Sequence, residues 1–272
     1  MFKWILLIAG AGLVYLWIKG KKQAKRNAEN PPKPNKNKAE KAVGPEAMVQ
    51  CQYCKVHLPQ SEAISHDGRF YCSKDHFHEL DSEGWIGDAQ WRISPNQDVR
   101  PENIQPDLAV IHHISLPPGE FRQRESSQYI VDFFQNKLNP NEHAYFAEIA
   151  TQKVSSHFLI TRSGALVQFV PTQKKAWHAG VSEFLGREKC NDFSIGIELE
   201  GDGDTPFEPT QYQVLANLIQ KLTSTYPDLQ FAGHSDIAPE RKTDPGIFFD
   251  WKKFQKETGI SAKKLPYGLD PR

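Results

Sequence analysis

His112, His234 and Asp244 are the residue types of an open metal centre, since two imidazoles and one carboxylate can hold a zinc ion and leave its fourth corner to water. The last two share one loop, GHSDIAPERKTDPG (233–246), which also carries Arg241 and Lys242. A cation in that loop could neutralise an oxyanion developing at the metal. N, N, O donors with one corner free suit catalytic rather than structural zinc, so the chemistry expected is metal-assisted hydrolysis. Each residue also has a plainer reading. A strand histidine is often just buried and satisfied, and an Asp before Pro245-Gly246 is common turn chemistry.

The elements that must position these residues are legible as patterns. Leu108–Ile114 (LAVIHHI) reads as a buried strand, and alternation sends His112 and His113 to opposite faces, so only one can reach the metal. On that reading His113 belongs to a second layer or to the core. In Ser194–Glu200 the apolar Ile195, Ile197 and Leu199 face one way, leaving Ser194, Gly196, Glu198 and Glu200 on the other. A mid-strand carboxylate needs a partner because burying it bare is expensive. Glu198 is therefore either half of a salt bridge or a proton-transferring group beside the metal. Residues 156–170 read as a hairpin turning at Ser163-Gly164, and a further strand ends near Gly233 just before His234. Leu215, Leu218, Ile219 and Leu222 recur at helical spacing within Pro209–Thr225, so that helix covers the sheet with one face; a short helix is expected from 251 to 256. The fold class expected is α/β, a mixed central β-sheet flanked by helices.

A second constellation precedes this domain. Cys51 and Cys54 form one close pair (CQYC), and Cys72 with His76 (YCSKDH) forms another, which is the spacing of a structural zinc site. His78 is an alternative to His76, a reduced cluster without metal is the plain reading, and His57 and His66 read as surface residues. The fourth cysteine, Cys190, reads as an inert core thiol.

The chain has 272 residues with 33 basic and 33 acidic side chains, which gives no global reason to expect a nucleic-acid partner. Four cysteines do not make a secreted disulfide framework. Residues 4–18 (WILLIAGAGLVYLWI) are uninterruptedly apolar and approach the length of a membrane span. Lys19, Lys21, Lys22, Lys25 and Arg26 follow, an asymmetry that keeps the rest of the chain in the cytoplasm by the positive-inside rule. A signal peptide is the rival reading. The Lys-, Asn- and Pro-rich stretch after it has little to bury and reads as a disordered tether. The organisation expected is an anchor (1–20), a tether (21–47), a zinc-ribbon-like module (48–80), a main domain (84–262) and a tail (263–272). The first 80 residues resemble a small module found behind a single membrane span in some proteobacterial proteins of unknown role.

In the main domain the runs HHISLPPGEF (112–121), AYFAEIA (144–150), AWHAGVS (176–182), CNDFSIGIELEG (190–201) and GHSDIAPERKTDPG resemble, in order, the AmpD-type N-acetylmuramoyl-L-alanine amidases. The resemblance implies the amidase-2 and peptidoglycan-recognition fold, one catalytic zinc, and cleavage of the amide between muramic acid and L-alanine. It implies His112, His234 and Asp244 as zinc ligands, Glu198 as catalytic carboxylate and Lys242 as the lysine that stabilises the transition state. It further implies His113, Lys153, Trp177, His178, Lys189 and Asn191 at the substrate groove, with lysine at 153 and 189 where relatives commonly have arginine. The expectation is an inner-membrane-anchored, cytoplasm-facing enzyme acting on muropeptides. The alternatives are a periplasmic amidase acting on intact peptidoglycan, and a non-catalytic peptidoglycan-binding module, which would lack a metal ligand.

Overall fold

The computed structural model describes residues 46–121 and 124–270. The apolar run 4–18 and nearly all of the tether lie outside them. Among the described residues no helix is long and apolar enough to cross a membrane.

The N-terminal module is built of very short pieces: β1 (Met48–Gln50), β2 (His57–Pro59), β3 (Ile64–His66), β4 (Arg69–Tyr71) and α1 (Lys74–His78). β1 pairs with β2 and β3 with β4, each antiparallel. His57 is exposed as expected, but His66 is not an ordinary surface residue: it is half-buried and its ring meets Phe77 edge-on at 5.4 Å. The tight Asp67-Gly68 turn folds β4 back along β3, and the helix that follows brings Phe77 to the His66 ring.

From there the chain runs through β5 (Gln90–Trp91), β6 (Gln97–Val99), β7 (Leu108–Ile114), α2 (Arg124–Phe134), α3 (Ala144–Ile149), β8 (Phe158–Ile160) and β9 (Leu166–Gln168). It continues as β10 (Lys174–Ala176), β11 (Glu183–Phe184), β12 (Arg187–Glu188), β13 (Ser194–Glu200), α4 (Pro209–Thr225), β14 (Gln230–Gly233), α5 (His234–Ile237) and α6 (Trp251–Thr258). Six strands form the central sheet in the order β14-β7-β13-β8-β9-β5. β14, β7, β13 and β8 are parallel neighbours, whereas β8 and β9 are antiparallel, so the sheet is mixed. The expected bounds of β7, β13 and α4 are reproduced, and the hairpin turns at Gly164 with φ +86°.

Alternation sorts the two faces. Ala109, Ile111, Ile195, Ile197, Leu199 and Phe231 pack with Leu215, Leu218, Ile219 and Leu222 of α4 and with Trp251 and Phe254 of α6. Parallel strands covered in this way are apolar nearly throughout. α4 begins at a capping box in which Glu208 N–H donates to Gln211 Oε1 at 3.0 Å, while the Gln211 amide donates to the Ile160 and Glu200 carbonyls. The helix start is thereby tied to the sheet. On the opposite face Leu159, Val167 and Phe169 meet Ile130, Phe134, Phe146 and Ile149 of α2 and α3. That same face, at the carboxyl ends of β7, β13 and β14, carries the polar residues. In open α/β sheets this is where ligands bind. Beyond α6, Leu265 is buried and Tyr267 lies against Phe184.

Candidate active site

β7 and β13 are registered so that Glu198 lies beside His112, and β14 places His234 immediately past its own end. The loop after α5 returns Asp244 to the same point. His112 Nδ1 lies 3.0 Å from His234 Nδ1 and 2.9 Å from Asp244 Oδ2, and His234 Nδ1 lies 3.0 Å from that oxygen. All three side chains are buried.

The partners of the outer ring nitrogens explain this convergence. His234 Nε2 is 3.2 Å from the Ala179 carbonyl, so it donates there and leaves Nδ1 as a lone pair. His112 Nε2 is 3.0 Å from His178 Nδ1, and His178 Nε2 is 3.0 Å from Ser194 Oγ. Protons placed along that chain leave His112 Nδ1 bare as well. Two imidazole lone pairs and a carboxylate oxygen then aim at one point, an arrangement that needs a cation between them. Ligands about 2.0–2.2 Å from tetrahedral zinc stand roughly 3.3 Å apart, close to the triangle observed. The residues present fit the metal.

Electrostatics agree with that reading. Burial, with the neighbouring His234 adding to it, pushes His112 down to about 4, and burial pushes His178 well below the ordinary histidine value. Asp244 is held far below the usual carboxylate range: burial alone would raise it, but the His112 and His234 rings packed against its Oδ2 outweigh that. Glu198 is the reverse case. Burial and then the charge of Asp244 raise it well above the ordinary value, only partly offset by Lys242, and its Oε2 is buried without a hydrogen-bond partner. Among the described residues the salt-bridge reading of Glu198 is thus not realised. Its strand neighbour Glu200 shows the contrast, since Ser127 Oγ donates to it at 2.8 Å and the Arg162 backbone N–H at 2.9 Å.

The two loop cations separate. Arg241 is committed to the Ala179 and Val181 carbonyls at 2.6 and 2.8 Å and braces the 178–182 loop. Lys242 is half-buried, its side chain has no hydrogen-bond partner among the described residues, and it acts electrostatically on both His112 and Glu198.

The other candidates are distributed. His113 faces away from the metal triangle, with its ring against Gly203, as alternation required. His178 stands behind His112, and its role as its hydrogen-bond partner was not legible in sequence; nor was Ser194 beyond it. Asn191 Oδ1 accepts from the His178 and Ala179 backbone N–H groups at 3.1 and 2.8 Å, so that side chain holds the loop. Trp177 is half-buried and donates from Nε1 to Asp98 at 2.8 Å. Lys153 and Lys189 are exposed. Cys190 is buried, and burial holds its thiol up, as a core residue should be.

A family model described as N-acetylmuramoyl-L-alanine amidase matches residues 102–247. That span contains all three metal-ligand candidates, Glu198 and Lys242. The chain belongs to the N-acetylmuramoyl-L-alanine amidase family. The 1,6-anhydro-N-acetylmuramyl-L-alanine amidase AmpD of Enterobacter cloacae is 50% identical over 183 residues, which is 66% of this chain and 96% of that protein. The protein of the same name from Escherichia coli strain K12 is 50% identical over 175 residues, covering 64% of this chain and 93% of its own. A crystal structure of a selenomethionine AmpD derivative superimposes with TM-score 0.62 at 50% identity over 65% of this chain and 97% of that one. The amidase fold expected from sequence is therefore present, and the chain is an amidase of this family. The cysteine-bearing module lies before the matched span.

Proposed function

We propose that this amidase hydrolyses the amide between 1,6-anhydro-N-acetylmuramic acid and the L-alanine of a stem peptide, with one zinc held by His112, His234 and Asp244, in muropeptide recycling. The observation that carries the reading is the convergence of His112 Nδ1, His234 Nδ1 and Asp244 Oδ2 within 3.0 Å of one another, beside an unpartnered Glu198 oxygen. The preference for the anhydro sugar is supported by the near-complete coverage of AmpD proteins at half identity.

When bound, zinc supplies a Lewis acid and lowers the pKa of water to about 7. The chain's own groups do the rest. Glu198 takes a proton from the attacking water and returns it to the departing L-alanine nitrogen. Its buried Oε2, unpartnered among the described residues, leaves it available for both transfers. Lys242 presents its ammonium to the oxygen on which negative charge develops. His178 holds the His112 imidazole in one tautomer and orientation, and Arg241 fixes the loop whose Ala179 carbonyl does the same for His234. Trp177, Lys153, Lys189 and His113 are proposed to meet sugar or stem peptide at the rim.

The proposed setting is the cytoplasmic side of a membrane, with residues 1–20 as the anchor. It is supported by the apolar run and the lysines that follow it. Incubation of the purified protein with anhydro-muropeptides and with intact peptidoglycan, followed by analysis of released products, tests the substrate. Release from the muropeptides is expected, and cleavage of the wall polymer alone would reverse both substrate and compartment.

A further inference from the structure

We propose that Cys51, Cys54, Cys72 and His76 form a second zinc centre, separate from the amidase site, that staples the N-terminal module to the edge of the central sheet. Their four donor atoms all lie within 4.8 Å of one another. Cys72 Sγ is 3.0 Å from His76 Nδ1, Cys51 Sγ is 3.9 Å from the same nitrogen, and the Cys54 and Cys72 sulfurs are 3.7 Å apart. Thiolates about 2.3 Å from tetrahedral zinc stand roughly 3.8 Å apart, whereas a disulfide requires about 2.05 Å. The cysteines are free thiols spaced as ligands. Metal binding forms three Zn–S bonds and one Zn–N bond and releases the thiol protons to solvent.

The backbone is arranged around the site. Cys51 and Cys54 lie on a turn closed by Lys55 N–H donating to the Cys51 carbonyl at 2.9 Å, with Lys55 in the left-handed region at φ +61°. Cys72 follows β4, and its N–H donates to Cys51 Sγ at 3.4 Å. His76 sits on α1, whose start is capped by Ser73, and Tyr53 stacks on its ring at 4.3 Å. His78, the other candidate, points elsewhere and bonds Asp88 at 2.8 Å.

Energetics supply an independent reason for a metal. The module's strands are three residues long, and its buried apolar residues are only Cys51, Tyr71 and Leu80. Units below about 40 residues seldom fold on such a core without disulfides, metals or an outside surface. Here the outside surface is also present. The Arg69 guanidinium lies 3.5 Å over Trp91 of the edge strand β5, and Trp91 stacks on Trp85 at 4.4 Å. Asp88 joins His78 of α1 to Lys221 of α4. Tyr71 and the Phe77 carbonyl crowd Gly87 so closely that a Cβ there would meet them at 2.4–2.9 Å. Cys72 and His76 bracket the stretch between Tyr71 and Phe77, so a metal holding both fixes the segment that makes this seam.

The test is metal content and cobalt spectroscopy on the full chain. Two zinc ions per chain are expected in the wild type, and one each in Asp244→Ala and in the double variant Cys54→Ser/Cys72→Ser. Cobalt-loaded wild type and Asp244→Ala should show a thiolate-to-cobalt charge-transfer band in the near ultraviolet, kept by His76→Cys and lost in the double serine variant. Hydrogen exchange across residues 85–91 should accelerate in that variant while the remaining zinc stays bound. One zinc per wild-type chain that is lost in Asp244→Ala, a cobalt spectrum without a thiolate band, or a Cys54–Cys72 disulfide in place of metal overturns the centre. Unchanged exchange at 85–91 overturns the staple. The wild-type measurements decide the centre even if the serine variant fails to fold, and the thiolate band separates it from failure of the His112, His234 and Asp244 assignment.

Discussion

Two glutamates on one face of one strand have opposite fates. Alternation puts Glu198 and Glu200 on the same face, but Glu200 is satisfied by Ser127 and Arg162, 73 and 38 residues away in sequence, and no local pattern announces such partners. Glu198→Gln should cut turnover by about 10²- to 10⁴-fold, the usual contribution of a proton-transferring group, while metal content is unchanged. The same substitution should stabilise the metal-free protein. A carboxyl whose folded pKa is raised contributes stability below its unfolded value near 4.5, and that stability is lost as pH rises towards the folded value. The melting advantage of Glu198→Gln should therefore grow from pH 4.5 upward, and a constant difference across pH would contradict the burial argument. His178 was legible only as a groove position, because its contact with His112 is made across 66 residues of chain. His178→Ala should weaken zinc binding about 10- to 100-fold, read by competition with a chelating dye. Unaltered affinity would mean that His112 needs no such support.

At the level of elements, β7, β13 and α4 were readable because their periodicity is dictated by burial on known faces, and the site residues at strand ends followed from it. What sequence did not reveal is how tightly the 176–182 loop is pressed onto β13. Gly196 shows it: a Cβ at that position would stand 2.5 Å from His178 Cγ, closer than real side chains approach. Gly196→Ala should push His178 away from both Ser194 and His112. The expected cost is about 1–3 kcal/mol of stability, as for other overpacked sites, together with a loss of zinc affinity resembling that of His178→Ala. Denaturant unfolding and metal titration check both effects, and a neutral substitution would show that the loop can retreat. Arg241 was equally hidden, since nothing in the run ERKTD says which cation braces a loop and which stays unpaired.

Across the whole molecule, the buried histidines set the response to acid. Burial keeps His157 and His178 well below the ordinary value and His112 at about 4, whereas in the unfolded chain they titrate near 6.5. The unfolded state takes up protons first, so stability is present above about pH 6.5 and declines as the pH falls below it. The melting temperature of the metal-free protein should drop between pH 7 and pH 5. A flat profile over that range would place these imidazoles in contact with solvent. The seam between module and sheet was the part of the architecture least accessible to sequence, because Arg69, Asp88, Trp91 and Lys221 are ordinary residues until the fold brings them together. The central claim, amide hydrolysis at a zinc held by His112, His234 and Asp244, is tested most directly by product analysis with metal removed and restored. On an anhydro-muropeptide, mass spectrometry should show a stem peptide with a free L-alanine amino group. That product should vanish after chelation, return with stoichiometric zinc, and be absent from zinc-loaded Asp244→Ala. Full turnover after chelation, or cleavage at any other bond, would contradict it.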